Sequence, residues 1–290
     1  FDYPVESMEA LKLHNVDAVR LLVNAASSCD EACMEKLQQF IQAVDGRGVI
    51  CLFDTISAHD EGHDSHGSGH INSMDEYVES WKRIHAAFNR YSNVFYEIFN
   101  EPFGYPNTEF YLDDMREVME KAELPYERCI IDGLGYAGDV QSVQAHGWPG
   151  VLGYHFYPMW LSCPNRTQQG FSNKIQSDLK GLSHKTMITE FGGALNQGDV
   201  YEAYHESGMD DFSNVNSLRG MRDAISFFEA NDRQVLGLYF FHGWNNEDSY
   251  DFWGEANTYG KACVQSILAT AKMDGKFDTS AECYGLFRLR

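Results

Sequence analysis

The sequence predicts an α/β chain folded as an eight-stranded parallel β/α barrel, a (β/α)8 or TIM barrel, on three observations. Short apolar runs alternate with longer helical patterns from one end to the other, which is the signature of repeated β-α units. No low-complexity linker or composition shift divides the 290 residues, so residues 1–290 read as one domain. Two of the apolar runs are closed by glutamates, as expected of a barrel whose chemistry sits at the C-terminal ends of its strands.

In chain order, the strand-like runs are residues 18–23, 49–53, 94–99, 129–132, 151–156, 186–190 and 235–241. Amphipathic stretches at 31–44, 74–90, 108–122, 217–231 and 256–272 repeat apolar residues at helical spacing. The remaining strand is harder to place. Residues 6–14 read as the helix that precedes the 18–23 run, so the first barrel strand is either missing at the N-terminus or supplied by 284–289, the one strand-like run left over. The abrupt start at Phe1 reads as a processed or truncated end.

The chain carries 43 acidic against 22 basic residues, a net charge of -21, which disfavours nucleic acid or an anionic membrane surface as a partner and favours a neutral ligand. No stretch approaches the ~20 consecutive apolar residues of a membrane span. Of the seven cysteines, Cys51 and Cys129 lie in apolar runs and read as buried free thiols, while Cys29 with Cys33, and Cys163 or Cys283, are candidates for pairing in an oxidising compartment. Asn165-Arg166-Thr167 is a glycosylation acceptor pattern, and with the cysteines it points to a secreted protein.

The chemistry-bearing residues come in two groups. Tyr96-Glu97-Ile98-Phe99-Asn100-Glu101-Pro102 ends an apolar run with an amide, a carboxylate and a proline that halts regular structure. Glu190 closes Thr186-Met187-Ile188-Thr189 and is followed by Phe191-Gly192-Gly193. Two acids at two strand ends meet the requirement for glycosidic bond cleavage, in which one protonates the departing oxygen and the other attacks the anomeric carbon or activates water.

These strings resemble glycoside hydrolase family 5, the cellulase family within clan A. Val19-Arg20-Leu21 is similar to the family's arginine at strand two, His155-Phe156-Tyr157 to its His-x-Tyr at strand six, and Trp244 to its platform tryptophan near the last strand. The resemblance implies Glu101 as acid/base, Glu190 as nucleophile, and Asn100 as the partner of the sugar 2-hydroxyl. It further implies that Arg20 and Tyr157 hold Glu190 ionised, that His155 lines the cleft near Glu101, and that Trp244 stacks under the sugar. One departure stands out: the family's Asp-x-His after strand three is Asp54-Thr55-Ile56 here, with His59 the nearest substitute.

The loop at 59–70, rich in histidine, acid and glycine, matches no zinc spacing and reads as a flexible loop beside the cleft, with an opportunistic or structural ion as the alternative; the two-carboxylate chemistry that the resemblance implies needs no metal and no cofactor. Trp148, Tyr154, Trp160, Tyr239, Phe241 and Trp253 are candidate sugar-stacking aromatics. The resulting expectation is a secreted, monomeric, retaining endo-β-glycosidase acting on a β-linked glucan or mannan by double displacement, with its two carboxyls ~5–5.5 Å apart. Alternative readings on the same fold are an exo-acting β-glycosidase, a transglycosylase, or a carbohydrate-binding barrel without turnover.

Overall fold

Parallel strands need crossover connections long enough to hold a helix, and this chain supplies one between every successive pair. The computed structural model describes residues 18–53, 68–162, 164–193 and 213–241. Within them lie seven strands: β1 (Val19–Val23), β2 (Arg47–Leu52), β3 (Asn93–Glu97), β4 (Cys129–Asp132), β5 (Val151–Phe156), β6 (Thr186–Phe191) and β7 (Gly237–Phe240). They pair in strict sequence order, and every neighbour is parallel. This is the β/α-barrel architecture that the alternating pattern predicts. The helix expected at 6–14, the helix expected at 256–272 and the strand-like run at 284–289 lie outside the described residues.

The outer layer follows from local chemistry. Asp30 and Asn107 accept backbone N–H groups in the first turns of helices Glu31–Ala43 and Thr108–Lys121, satisfying donors that a helix start leaves unpaired. Helix Gln168–Asp178 has no clear helical signature in the sequence, because Gly170 and polar residues interrupt its narrow stripe of Phe171 and Ile175. Tertiary packing supplies what the pattern lacks. Thr167 caps the helix, and Gly220 of helix Ser213–Ala230 lets it approach so closely that a Cβ there would lie 2.6 Å from the Phe171 Cβ. Among the described residues, no helix is long and apolar enough to cross a membrane.

Inside the barrel, strand alternation produces layers. Ala18, Val49, Ile130, Met187 and Tyr239 form an apolar cluster, with Phe95 and Val151 packed against it. Two residues further along the same strands stand Arg20, Cys51, Glu97, Asp132, Gly153 and Thr189, so the layer above is polar and opens toward the catalytic face. Cys51 and Cys129 are buried free thiols, as expected. Cys29 and Cys33 are also free rather than paired, with Asp30 between them spending its side chain on the amides of Ala32 and Cys33.

One substitution tests the tight β1–β2 seam. A Cβ on Gly48 would lie 2.5 Å from the Val19 carbonyl oxygen and 2.7 Å from Ile41 Cδ1, and Val19 is its ladder partner, so that oxygen has nowhere to retreat. Gly48→Ala should cost about 1–3 kcal/mol, read as a lower urea midpoint with an unchanged slope. A wild-type midpoint would contradict this reading of the seam.

Candidate active site

The site begins where β3 stops. The apolar run extends to Phe99, but the ladder ends at Glu97, two residues earlier than the run suggests. Beyond it the Ile98 amide donates to Ile130 O and the Asn100 amide to Leu52 O, so the chain stays anchored to both neighbouring strands while leaving regular geometry. The Ile98 carbonyl is taken up by helix Met74–Phe88, accepting from Tyr77 Oη at 2.7 Å and Trp81 Nε1 at 3.2 Å. Glu101 then adopts φ = 51°, a left-handed conformation that costs a non-glycine residue roughly 1–3 kcal/mol and is typical of functional sites. A bond from the Phe103 amide back to Glu101 O closes the turn around Pro102.

At the centre lies Arg20, fully buried on β1. Its Nε donates to Glu97 Oε2 at 2.5 Å and its Nη2 to Glu97 Oε1 at 2.9 Å, a bidentate pair. Nη1 donates to Glu190 Oε2 at 2.7 Å, and Nη2 also reaches Asn100 Oδ1 at 2.7 Å. The other Glu190 oxygen accepts from Tyr157 Oη at 2.5 Å. Both Glu190 oxygens are thus held by donors, and the Asn100 amide has its oxygen committed to Arg20 while its NH2 has no partner among the described residues.

Glu101 is held differently. Its Oε1 lies 2.8 Å from His155 Nδ1, and its amide donates to Asp132 Oδ2 at 3.2 Å. His155 reaches this position through a register shift between β5 and β6, after which it pairs with Glu190 across the ladder. One carboxylate oxygen of Glu101, one of Glu190 and a ring nitrogen of His155 all lie within 4.8 Å of one another. Glu101 and Glu190 keep 6% and 8% of their surface exposed, whereas Glu97 and Asp132 keep none, so only the first pair faces the cleft.

Electrostatics separates these acids. Burial alone would raise the Glu97 carboxyl, but the Arg20 guanidinium and the bonds from His155 and Arg20 hold it well below the usual carboxylate range. Asp132 goes the other way, pushed well above that range by burial and then by the Glu97 charge. Burial would lower the His155 imidazole, yet the Glu190 and Asp132 carboxyls and its bonds to Glu101 and Glu97 raise it well above its ordinary value. The groups Glu97, Asp132, His155 and Glu101, His155, Glu190 have the spacing of metal ligands. Arg20, however, already supplies a positive charge between the Glu97 and Glu190 carboxylates.

Six of the seven residues singled out in the sequence, Arg20, Asn100, Glu101, His155, Tyr157 and Glu190, converge here. Trp244, and with it Asp54, Ile56, His59 and Trp253, lies outside the described residues. Glu97 and Asp132 also belong to the site, outside the strand-end pattern that marks the others; each follows a barrel-lining residue by two positions, which is the signal that finds them. Trp148, Tyr154 and Tyr239 are buried in the core and present no face to a ligand. On the catalytic face, Phe103 and Tyr136 stack at 4.8 Å between centroids and 19° between planes, with Tyr136 half exposed.

The depressed Glu97 carboxyl has a consequence for stability. Its folded-state pKa lies below the unfolded value of about 4.3, so its contribution is present above that value and is lost as pH falls toward the folded pKa. Glu97→Gln should cost roughly 3 kcal/mol at neutral pH, because it leaves Arg20 undercompensated. Between pH 5 and 2 its denaturation midpoint should fall less than that of the wild type. Parallel pH curves for the two proteins would contradict the pairing.

The model of the cellulase family, glycosyl hydrolase family 5, matches residues 7–233. No curated protein sequence matches the chain. Among solved structures, an endoglucanase aligns at 18% identity with a TM-score of 0.58, covering 90% of each chain. Thermotoga maritima Cel5A in complex with mannotriose aligns at 13% identity and a TM-score of 0.63, covering 91% of this chain and 90% of the other. XacCel5A in complex with cellopentaose aligns at 12% and 0.63, with 91% and 90% covered. At such identities these likenesses show the fold. The family match, spanning most of the chain, shows that this protein belongs to glycosyl hydrolase family 5.

Proposed function

We propose that this chain is a retaining endo-β-glycosidase that hydrolyses a β-linked glucan or mannan by double displacement, with Glu190 as nucleophile and Glu101 as acid/base. The observation that carries the reading is the approach of the two carboxylates, an oxygen of each lying within 4.8 Å of the other. That spacing suits direct attack, since an inverting pair needs roughly 6.5–9.5 Å to admit a water.

Each step then has a named group. A Glu190 oxygen forms a bond to the anomeric carbon while the glycosidic bond breaks, and the departing oxygen takes the proton of Glu101. Arg20 and Tyr157 fix the orientation of the attacking carboxylate. A water then adds to the anomeric carbon, gives its proton to Glu101 and releases Glu190. The Asn100 amide is oriented by Arg20 to donate to the sugar 2-hydroxyl. Trp244 is proposed as the platform beneath the sugar.

A β-linked glucose- or mannose-type substrate is supported by the complexes of structural neighbours with cellopentaose and mannotriose. The half-exposed Tyr136, stacked on Phe103 beside Glu101, offers an apolar face to a pyranose ring of the same chain. The exposed Asn165 of the acceptor sequence supports secretion.

Reducing-sugar release from β-glucans, mannan and xylan, with proton NMR of the first product, tests the reading. The expected outcome is cleavage of a glucan or mannan to oligosaccharides whose new end is first β. Release of monosaccharide alone would make the enzyme exo-acting, transfer products would make it a transglycosylase, and no turnover would leave a binding protein. An α anomer appearing first would overturn the assignment of Glu190 as nucleophile.

A further inference from the structure

Asp132 closes β4 with no exposed surface, and the double displacement gives it no step. It nevertheless touches the acid/base from two directions. Its Oδ2 accepts the Glu101 amide at 3.2 Å, at the residue whose backbone is left-handed. The same oxygen lies 3.8 Å from Nε2 of His155, whose Nδ1 bonds the Glu101 carboxyl at 2.8 Å. One buried carboxyl therefore fixes both the main chain and, through a ring it contacts, the side chain of Glu101.

The barrel makes room for this carboxyl at a specific point. A Cβ on Gly153 of β5 would lie 2.0 Å from Asp132 Oδ1 and 3.1 Å from Thr189 Oγ1. A side chain there would displace the Asp132 carboxyl from its position beneath Glu101. Asp132 Oδ1 and Thr189 Oγ1 border this gap, and neither has a hydrogen-bond partner among the described residues.

We propose that Asp132 is a positioning residue that holds Glu101 in its strained, proton-transferring geometry, with Gly153 as the opening that admits it. The proposal rests on reading Glu101 as the acid/base. The upward shift of Asp132, caused first by burial and then by the Glu97 charge, goes in the direction that lessens negative charge beside the general acid.

The test compares Asp132→Ala, Asp132→Asn and Gly153→Ala with a Glu101→Ala control, on the polysaccharide that the wild type cleaves and on a 2,4-dinitrophenyl β-cellobioside. Protonation by Glu101 matters for the first substrate and not for bond cleavage in the second. Misplacing the acid should lower kcat on the polysaccharide roughly 10- to 100-fold for Asp132→Ala and for Gly153→Ala. On the activated glycoside both should lose less, and added azide, which needs no base to attack the glycosyl-enzyme, should raise their turnover. Asp132→Asn keeps an acceptor of the same size and should stay within about threefold of wild type.

Equal losses on both substrates without azide rescue would mean a merely structural role, and wild-type kinetics would mean none; either overturns the proposal. If Asp132→Ala does not fold, Gly153→Ala decides by the same signature. A Glu101→Ala enzyme that itself shows no leaving-group dependence would place the fault in the acid/base assignment instead.

Discussion

The structure depends on burying one guanidinium. Arg20 sits on the first described strand with no exposed surface, and an unpaired charge there would cost more than the domain could sustain. The barrel resolves this by bringing Glu97 from β3, Glu190 from β6 and Asn100 from the turn after β3 to the same group. Each strand must therefore stop at a set height, since a shift of one residue turns the acid outward and leaves Arg20 unpaired. The fork that stabilises the barrel interior is also the device that orients Glu190, so packing and chemistry rest on the same contacts.

Around that centre the acids are divided by depth and by partner. Glu97, fully buried and paired with Arg20, has its carboxyl held below the usual carboxylate range, while burial and the neighbouring Glu97 push the Asp132 carboxyl up. Glu101 and Glu190 reach the cleft and are gripped by different donors, His155 for one and Arg20 with Tyr157 for the other. Two irregularities make this possible: the left-handed Glu101 and the register shifts in β5–β6 and β6–β7, which re-aim residues at the strand ends.

Much of this was legible in the sequence for a physical reason. A glutamate that ends an apolar run is costly unless it is used, so Glu101 and Glu190 stand out, His155 and Tyr157 lie at the end of β5, and Arg20 is a charge inside the apolar run of β1. Glu97 and Asp132 were harder to see because they lie inside apolar strings, where a single-strand reading finds only a polar interruption. Their meaning emerges when strands are read together, as Phe95-x-Glu97 and Ile130-x-Asp132 repeat the inward step of Ala18-x-Arg20. Helix Gln168–Asp178 escaped because its stability comes from close packing through Gly220, which no local pattern announces. The Phe103–Tyr136 stack was likewise invisible, being a contact between the loops that follow β3 and β4.

The central claim is that the Arg20 and Tyr157 clamp presents Glu190 as the nucleophile. Its most direct test is trapping with an activated 2-deoxy-2-fluoro-β-cellobioside or the matching mannoside, followed by mass spectrometry of the proteolysed protein. The account predicts a single glycosyl ester on Glu190, formed more slowly in Tyr157→Phe. An ester on Glu101 or Glu97, or full turnover of the natural substrate by Glu190→Ala, would contradict it.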